Sequence, residues 1–259
     1  MVKGLDTFAA YFAEDEDQYV LIGGVATYLA LEEAGLEPRA TRDLDIVLCV
    51  EALTPAFGQK MWDFIQAGGY EIQQEGSEPR CFYRFLKPAD VKYPVVLEFF
   101  AREPGHLPLA EGAHLTPVPI DESVESLSAI LLDDDYYRFI HRHKRMLNGV
   151  HVVNEHCLIP LKARAWLDLR ERKAAGVAAV DSRNINKHRG DVLRLLQLLT
   201  PGNTVPVAGT IAADMTRFVA ELAPELDANL MKSLGLARMS PNEALTLLRT
   251  TYGLDNDPR

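Results

Sequence analysis

Cysteine is scarce in this sequence of 259 residues, and long apolar runs are absent. The three cysteines, Cys49, Cys81 and Cys157, are an odd number at spacings that match neither a zinc site nor a disulfide framework, and we expect them to be reduced. The longest apolar stretch, residues 19–31, is broken by two glycines and a threonine and is too short to cross a bilayer about 30 Å thick. The sequence therefore predicts no membrane-spanning helix and no membrane partner.

The N-terminus also lacks the features of a secretory signal. Four acidic residues occupy positions 14–17, where a signal peptide carries an apolar core and a cleavage site, so we expect a cytoplasmic protein. Low-complexity segments are absent as well, and 47% of the residues are apolar while 25% are charged. These proportions exclude a collagen-like or disordered chain and predict a soluble globular protein with a full hydrophobic core.

Positive charge is scarce overall but concentrated in one part of the chain. The net charge is -10, yet residues 136–200 contain 13 of the 27 Lys and Arg and only 5 of the 37 Asp and Glu. Two hypotheses explain this distribution equally well, an anion-binding segment and a solvated helix face. On a helix, Arg138, Arg142 and Arg145 would share one face, which favours contact with the phosphates of an acceptor.

The first half of the chain predicts a sheet with flanking helices. An apolar run at 19–22 ends at a glycine pair, and the helical spacing after it ends at Gly35, which is typical of strand, turn and helix. A second apolar run at 44–50 predicts a buried strand, and residues 54–67 have the spacing of an amphipathic helix. Three β-rich pieces separated by turn residues predict a meander: YEIQQ, RCFYRFL and PVVLEFF.

The second half of the chain has mostly helical patterns. A short predicted strand, GVHVVN, precedes Pro160, which we interpret as the first residue of a helix. Ser240 begins the last predicted helix with a capping box. We therefore predict an α+β protein with a sheet domain over residues 1–125 and a helical domain over residues 126–259.

Asp43 and Asp45 are the first candidate site residues. They stand at i and i+2 of a predicted strand, so both side chains point to one face of the sheet while Leu44 and Ile46 point to the other. Neighbouring carboxylates repel each other, and a divalent cation such as Mg²⁺ relieves the repulsion and prefers hard oxygen ligands. The spacing therefore indicates a metal site, and the alternative is an acidic pair that merely flanks a turn.

Gly23 and Gly24 stand where a strand turns into a helix, and Glu98 interrupts a later apolar strand. Glycine lets the backbone approach a ligand closely, and the N–H groups at the start of a helix favour phosphate. An acid within VVLEFF is costly unless a positive group lies beside it. A metal ion meets that need, and so does an ion pair with Arg84 or Arg102.

Taken in this order, the three features resemble the nucleotidyltransferase fold of the DNA polymerase β type. The block RATRDLDIVL at residues 39–48 is similar more narrowly to the Arg-x-Thr-x-Asp-Leu-Asp block of the AbiEii family of nucleotidyltransferase-like toxins. The downstream segments similar to that family's helical motifs are IPLKARAWLDLR, with Lys162, and NKHRGDVLRLL, with Lys187 and Asp191. The resemblance covers about residues 15–200 of the sequence.

The resemblance implies a nucleotidyltransferase-type mixed sheet with flanking helices, an active site completed by segment 126–200, and C-terminal helices over 201–259 without an assigned role. It assigns catalysis to Asp43, Asp45, Glu98, Lys162 and Asp191. It assigns nucleotide binding to Gly23, Gly24, Thr41, Lys162 and Lys187. Asp43 and Asp45 would hold Mg²⁺, and Glu98 would be the third ligand or the base. Lys162 would contact the nucleotide phosphates, and the alternative is a solvated helix lysine.

The resemblance also implies transfer of a nucleoside monophosphate from an NTP to an acceptor hydroxyl, with Mg²⁺ as the cofactor. As for the toxins of that family, we expect the acceptor to be an RNA end, in particular tRNA, and an antitoxin protein to be a partner. One alternative is the same chemistry on a small molecule such as an aminoglycoside. Another is a catalytically silent binding protein of the same fold. An RNA acceptor predicts binding that weakens steeply as the salt concentration rises.

Overall fold

The computed structural model divides the chain into two compact units. Unit 1 lies within Met1–Asp121 and Lys144–Asn154, and unit 2 lies within Glu122–His143 and Glu155–Arg259. The residues that the structure describes are 2–49, 54–71, 82–100, 130, 133–177 and 180–255. The two units are described separately below.

Unit 1 is built around a six-stranded mixed sheet. Its strands are β1 (Tyr19–Ile22), β2 (Asp43–Leu48), β3 (Phe82–Leu86), β4 (Val96–Phe100), β5 (Lys144–Leu147) and β6 (Val150–Val153). The strand order is β3-β4-β2-β1-β6-β5. Its helices within the described residues are α1 (Leu5–Tyr11), α2 (Gly23–Glu33) and α3 (Pro55–Gly68).

The pairing of three central strands determines where the candidate site residues lie. β1 is antiparallel to β2, and Ile22 at the end of β1 is paired with Asp45 near the start of β2. β2 is parallel to β4, and Asp45 is paired there with Glu98. The glycine turn that follows Ile22 is therefore next to the two aspartates in the sheet.

The apolar side chains of unit 1 explain why these segments form strands and helices. Every residue of β1 is buried, as are Leu44 and Ile46 of β2. The predicted helix over 54–67 is confirmed as α3, whose first turn is capped by the Thr54 hydroxyl accepting a hydrogen bond from the backbone N–H of Phe57. Rings from α1 and α3 pack together under the sheet, including the edge-on pair Phe8 and Phe64 at 5.8 Å.

Unit 2 is helical throughout its described residues. Its helices are α4 (Asp134–Arg142), α5 (Glu155–Ala174), α6 (Ser182–Leu195), α7 (Gly209–Leu222), α8 (Ala228–Ser233) and α9 (Pro241–Tyr252). α5 packs against α6 and α7, and α7 also packs against α4 and α9. A sheet unit followed by a helical unit is an α+β arrangement, as predicted. Among the helices described, none has the length and apolarity needed to span a bilayer.

The structure corrects the predicted division at residues 125 and 126 for one segment. Residues 144–154 were assigned to the helical domain, but they form the β5–β6 hairpin of the sheet in unit 1. The hairpin turn is Asn148–Gly149, and both residues have positive φ, 51° and 74°. Asn-Gly between two strands is a strong hairpin signal because type I′ turns need positive φ at both positions.

The same hairpin corrects the interpretation of the basic segment. α4 ends at Arg142, and Arg145 lies on β5, where it forms an ion pair with Glu33 at the end of α2. Arg138, Arg142 and Arg145 therefore do not share a helix face. The helical periodicity of the sequence continued past the point where the chain turns into the hairpin.

Pro160 is inside a helix and does not begin one. α5 starts at Glu155, and proline lacks the N–H that would bond to the carbonyl four residues earlier, here that of His156. The buried hydroxyl of Tyr252, from α9, donates to this carbonyl oxygen at 3.0 Å. The proline is tolerated because a side chain distant in sequence replaces the missing backbone donor.

Two further predictions concern residues at the limits of the described ranges. Cys49 and Cys157 are buried and form no disulfide, whereas Cys81 lies outside the described residues. Of the predicted strand YEIQQ, Glu71 forms an isolated bridge with Leu86, and residues 72–74 lie outside the described part of the chain.

Candidate functional site

Three acidic residues of unit 1 lie together on one face of the sheet. Asp45 on β2 and Glu98 on β4 are paired across parallel strands, so their side chains point to the same face. Asp43 stands two residues before Asp45 and shares that face, while Leu44 is fully buried on the other. We call Asp43, Asp45 and Glu98 the carboxylate row.

Glu98 is the most buried member of the carboxylate row, with 7% of its surface exposed. The guanidinium Nε of Arg84, on β3, lies 3.0 Å from its Oε1. Burial raises the pKa of Glu98 well above its usual value, and the charge of Asp45 and a hydrogen bond to that residue raise the pKa further, as does Asp43, whereas Arg84 lowers it. Arg84 therefore offsets only part of the negative charge. Of the two partners predicted for an ion pair, Arg84 fills the role, and Arg102 lies outside the described residues.

The glycine pair begins α2 directly beside the carboxylate row. Gly23 has a φ of 65°, and a Cβ at this position would lie 1.8 Å from Oδ2 of Asp45, so neither the backbone angle nor the space admits a side chain. The backbone N–H of Gly24 donates to the same oxygen at 3.1 Å. The predicted phosphate turn therefore has one N–H already bonded to a carboxylate.

Thr41 lies over the same turn. A Cβ on Gly24 would be 2.5 Å from Oγ1 of Thr41, which shows how closely the hydroxyl approaches the backbone. The hydroxyl of Thr27, one turn into α2, donates to the carbonyl of Gly23 at 2.7 Å and holds the turn from the helix side. Backbone N–H, hydroxyl and carboxylate groups thus meet within a few residues, a set of groups able to bind a phosphate together with its cation.

The carboxylate row has the chemistry of a site for a hard cation. Asp43, Asp45 and Glu98 offer oxygen ligands of the kind that Mg²⁺ prefers, and their charge is only partly offset. The close approach of Gly23 and Asp45 forms a cradle that a Cβ would fill. In the part of the chain that the structure describes, no three His, Cys, Asp or Glu side chains are placed so as to hold a metal ion together. The residues fit the ion by donor type and charge.

The other two predicted catalytic residues belong to unit 2. Nζ of Lys162, on α5, donates to Oδ2 of Asp191, on α6, at 3.0 Å. Only 4% of Lys162 and 2% of Asp191 are exposed, so the alternative of a solvated lysine is wrong. Arg194 lies 3.8 Å from the second oxygen of Asp191. Lys187 stands one helical turn before Asp191 on α6 and is half-buried.

Sequence reasoning missed a network that occupies much of the basic segment. Asp214 of α7 accepts hydrogen bonds from Arg164 at 3.0 Å and from the hydroxyl of Tyr136 at 2.9 Å. Glu225 contacts both Arg170 and Arg189. The acidic partners come from residues 201–259, to which the sequence assigned no role. Helical spacing cannot reveal them because the partners are 36 or more residues apart.

The network answers the charge question that the sequence left open. Most Lys and Arg side chains between residues 136 and 200 contact a carboxylate or hydroxyl in the structure. Within the described ranges, the basic side chains of this segment without a hydrogen bond or ion pair are Arg142, Lys144 and Arg183. The segment is therefore largely a partner of acidic groups of the same chain.

The residues singled out from the sequence form two groups in the structure. The carboxylate row, the glycine pair and Thr41 are in unit 1, and Lys162, Lys187 and Asp191 are in unit 2. A scan of the sequence against protein-family models finds no match, and neither does a search of the curated proteins.

Proposed function

We propose that this protein is a magnesium-dependent nucleotidyltransferase that transfers a nucleoside monophosphate from an NTP to an acceptor hydroxyl. The observation that carries the proposal is the strand register in unit 1. It pairs Asp45 with Glu98 on one side and with the residue before Gly23 on the other. Acidic ligands and a glycine turn that binds phosphate are what a nucleotide and its metal ion require together.

The topology of unit 1 supports a nucleotidyltransferase-type fold. A strand, a glycine turn and a helix are followed by an antiparallel strand with Asp-x-Asp, and then by a parallel strand with one acid. The block from Arg39 to Asp45 adds the resemblance to the AbiEii family. The proposal thus combines a sequence block with a register that the sequence did not determine.

The carboxylates have distinct roles in the proposed reaction. Asp43 and Asp45 would hold Mg²⁺, and Glu98 would be the third ligand or the base. When bound, the ion supplies positive charge to the triphosphate and lowers the pKa of the attacking hydroxyl. As a base, Glu98 would accept the proton of the attacking hydroxyl.

The backbone of the glycine pair orients the nucleotide in this proposal. The N–H groups at the start of α2 and the hydroxyl of Thr41 donate to phosphate oxygens. The acceptor oxygen forms a bond to the α-phosphorus, the bond from that phosphorus to the bridging oxygen breaks, and pyrophosphate leaves. The hydroxyl proton passes to the base. Gly24 must exchange its bond to Asp45 for one to phosphate.

The acceptor and the biological role follow from the AbiEii resemblance. We expect an RNA end, in particular of tRNA, as the acceptor and an antitoxin protein as the partner of a toxin. Induced expression of such a toxin slows the growth of the host cell. Expression of the Asp45→Asn variant at the same level is expected to leave growth unchanged.

The direct test uses the full-length chain with each α-labelled NTP, Mg²⁺ and total cellular RNA. Label in an RNA band supports the proposal and identifies the acceptor class, whereas label in an added aminoglycoside identifies a small-molecule acceptor. Asp63→Asn, an exposed residue of α3, makes the same chemical change away from the carboxylate row and is the matched control. If the wild-type protein is folded and no acceptor becomes labelled, the proposed transferase activity is wrong.

A catalytically silent binding protein is the second candidate, and one observation favours it. Asp45 is bonded to Gly24 and Glu98 is paired with Arg84, so the carboxylate row already has partners within the chain. Such a protein binds Mg²⁺ or an NTP, and its melting temperature rises on binding, but it transfers no label to an acceptor. Thermal denaturation with each ligand, run beside the labelling assay, separates the two candidates.

A further inference from the structure

Arg84 is part of the same row of paired residues as the carboxylates. It is paired with Glu98 across β3 and β4, and Glu98 is paired with Asp45 across β4 and β2. The three residues therefore stand side by side across three strands and point to one face of the sheet. Contacts join them in sequence, from Arg84 to Glu98 at 3.0 Å, from Glu98 to Asp45, and from Asp45 to the Gly24 N–H at 3.1 Å.

The placement of Arg84 is more specific than that of a surface ion pair. Its side chain is 20% exposed, and that of Glu98 is 9% exposed, so solvent screens their interaction little. A buried carboxylate without a positive neighbour is strongly unfavourable. Arg84 provides that positive charge from the adjacent strand.

We propose that Arg84 is a built-in counter-ion of the carboxylate row, which competes with Mg²⁺ for the negative charge of Glu98 and so sets the affinity of the site for the metal. This inference rests on the proposed function, because it concerns the same site. Arg84 is a positioning residue here: it acts on the metal through Glu98. It stabilises the metal-free protein and weakens metal binding by the same interaction.

Removal of the charge has opposite effects on stability and on metal affinity. Arg84→Gln leaves Glu98 and its two acidic neighbours without this counter-charge, so the melting temperature in the absence of metal falls. A divalent cation then meets a more negative site, and the Mg²⁺ concentration for half-maximal stabilisation falls roughly fivefold to tenfold. A residue with a purely structural role lowers the melting temperature without changing that concentration.

Two variants are controls for the effect of the Arg84 charge on metal affinity. Arg84→Lys keeps the charge, so its half-maximal Mg²⁺ concentration stays within about twofold of the wild type. Arg145→Gln removes another arginine of unit 1 that pairs with a glutamate, Glu33, at the end of α2 away from the glycine turn. That position is about 15 Å along the helix from Gly23, so the metal response should not change.

The experiment is thermal denaturation of the full-length chain against Mg²⁺ concentration at constant ionic strength, for the wild type and the three variants. A lower half-maximal concentration for Arg84→Gln alone supports the inference. If Arg84→Gln is unfolded without metal, Mg²⁺ is expected to restore its folding transition, and failure to do so overturns the inference. An equal response of the wild type and Arg84→Gln overturns the counter-ion role and leaves the proposed function intact. No response to Mg²⁺ in either protein overturns both.

Discussion

The carboxylate row of unit 1 and the Lys162–Asp191 pair of unit 2 both place charge in a folded interior, but they balance it differently. In the row, Arg84 contacts Glu98, whose pKa is raised chiefly by burial and further by Asp45 and Asp43. In the pair, one ammonium meets one carboxylate at 3.0 Å, and Arg194 adds a second cation at 3.8 Å. The first group brings three acids together, whereas the second joins one acid to two cations.

The difference separates two uses of buried charge. A balanced, well-bonded pair between packed helices contributes specificity to the fold, since breaking it leaves a charge without compensation. A group of neighbouring acids costs free energy in the folded protein, and acids with perturbed pKa values cluster at functional sites. We therefore propose the carboxylate row of unit 1 as the place for a cation. The Lys162–Asp191 pair acts first on the stability of unit 2.

The largest expected effect comes from the carboxylate row. Asp43→Asn or Asp45→Asn keeps the side-chain volume and removes one ligand charge, so nucleotide transfer should fall to roughly a hundredth of the wild-type rate or less. The melting temperature in a chelator should not fall, because the change relieves repulsion among like charges. Labelling assays and thermal denaturation check the two parts. Full transferase activity in either variant contradicts the magnesium assignment.

The next effect tests the balance of the Lys162–Asp191 pair. Lys162→Ala leaves the buried carboxylate of Asp191 without its ammonium and should cost about 3–5 kcal/mol of unfolding free energy. Lys60→Ala in unit 1 breaks the more exposed pair with Asp15 and should cost about 1 kcal/mol or less. Chemical denaturation provides both values.

A double variant then separates stability from nucleotide binding at this pair. Lys162→Met with Asp191→Asn removes both charges with little change in side-chain volume and should recover much of the stability that Lys162→Ala loses. If Lys162 also contacts the nucleotide phosphates, the stable double variant still binds NTP roughly tenfold more weakly than the wild type. Wild-type NTP affinity in that variant contradicts the assignment of Lys162.

A smaller effect is expected from the neutral hydrogen bond between the hydroxyl of Tyr252 and the carbonyl of His156 in unit 2. Tyr252→Phe removes the donor to the carbonyl of His156 and should cost about 1–3 kcal/mol, because a buried acceptor loses its partner. In a Pro160→Ala background the new backbone N–H can donate to the same carbonyl, so the same substitution should cost less. Equal costs in the two backgrounds would show that the hydroxyl does not replace the proline N–H.

The smallest effect concerns Arg142, one of the basic side chains that have no hydrogen bond or ion pair within the described ranges. Arg142→Glu should weaken RNA binding modestly and lower the slope of log affinity against log salt by about one unit, if Arg142 contacts one phosphate. Arg238→Glu makes the same change at an exposed residue of unit 2 outside the basic segment and should leave the slope unchanged. Binding assays over a range of salt concentrations measure both. If the wild type and both variants have the same salt slope, Arg142 contacts no RNA phosphate and is a solvated surface residue.

Much of the local structure of unit 1 was predictable because it depends on neighbouring residues. The strand, glycine turn and helix at 19–33, the strand from Asp43 and the helix with Thr54 as its cap all follow from period and capping chemistry. The capping box at Ser240 and Glu243 is also confirmed. In each case the residues that form the contact are within a few positions of one another.

The errors occurred where a local pattern was compatible with two structures. The helical period through residues 136–147 concealed the turn into the hairpin, although Asn148 and Gly149 provided a signal. Pro160 fits the first turn of a helix equally well by sequence, and only the hydroxyl of Tyr252 explains its place in the interior of α5. Contacts that span tens of residues decided both.

By itself the sequence determined which face of a strand the candidate acidic residues use and where the glycine turn lies. Alternation of side chains places Asp43 and Asp45 on one face, and the glycine pair marks the turn, because both depend on backbone geometry over a few residues. Only the tertiary structure decided the partners: Glu98 beside Asp45, Arg84 beside Glu98, and the acids of residues 201–259 beside the basic helices. Strand order and helix packing depend on burial summed over the whole chain, and a period of two or 3.6 residues carries no information about which distant element comes to lie alongside.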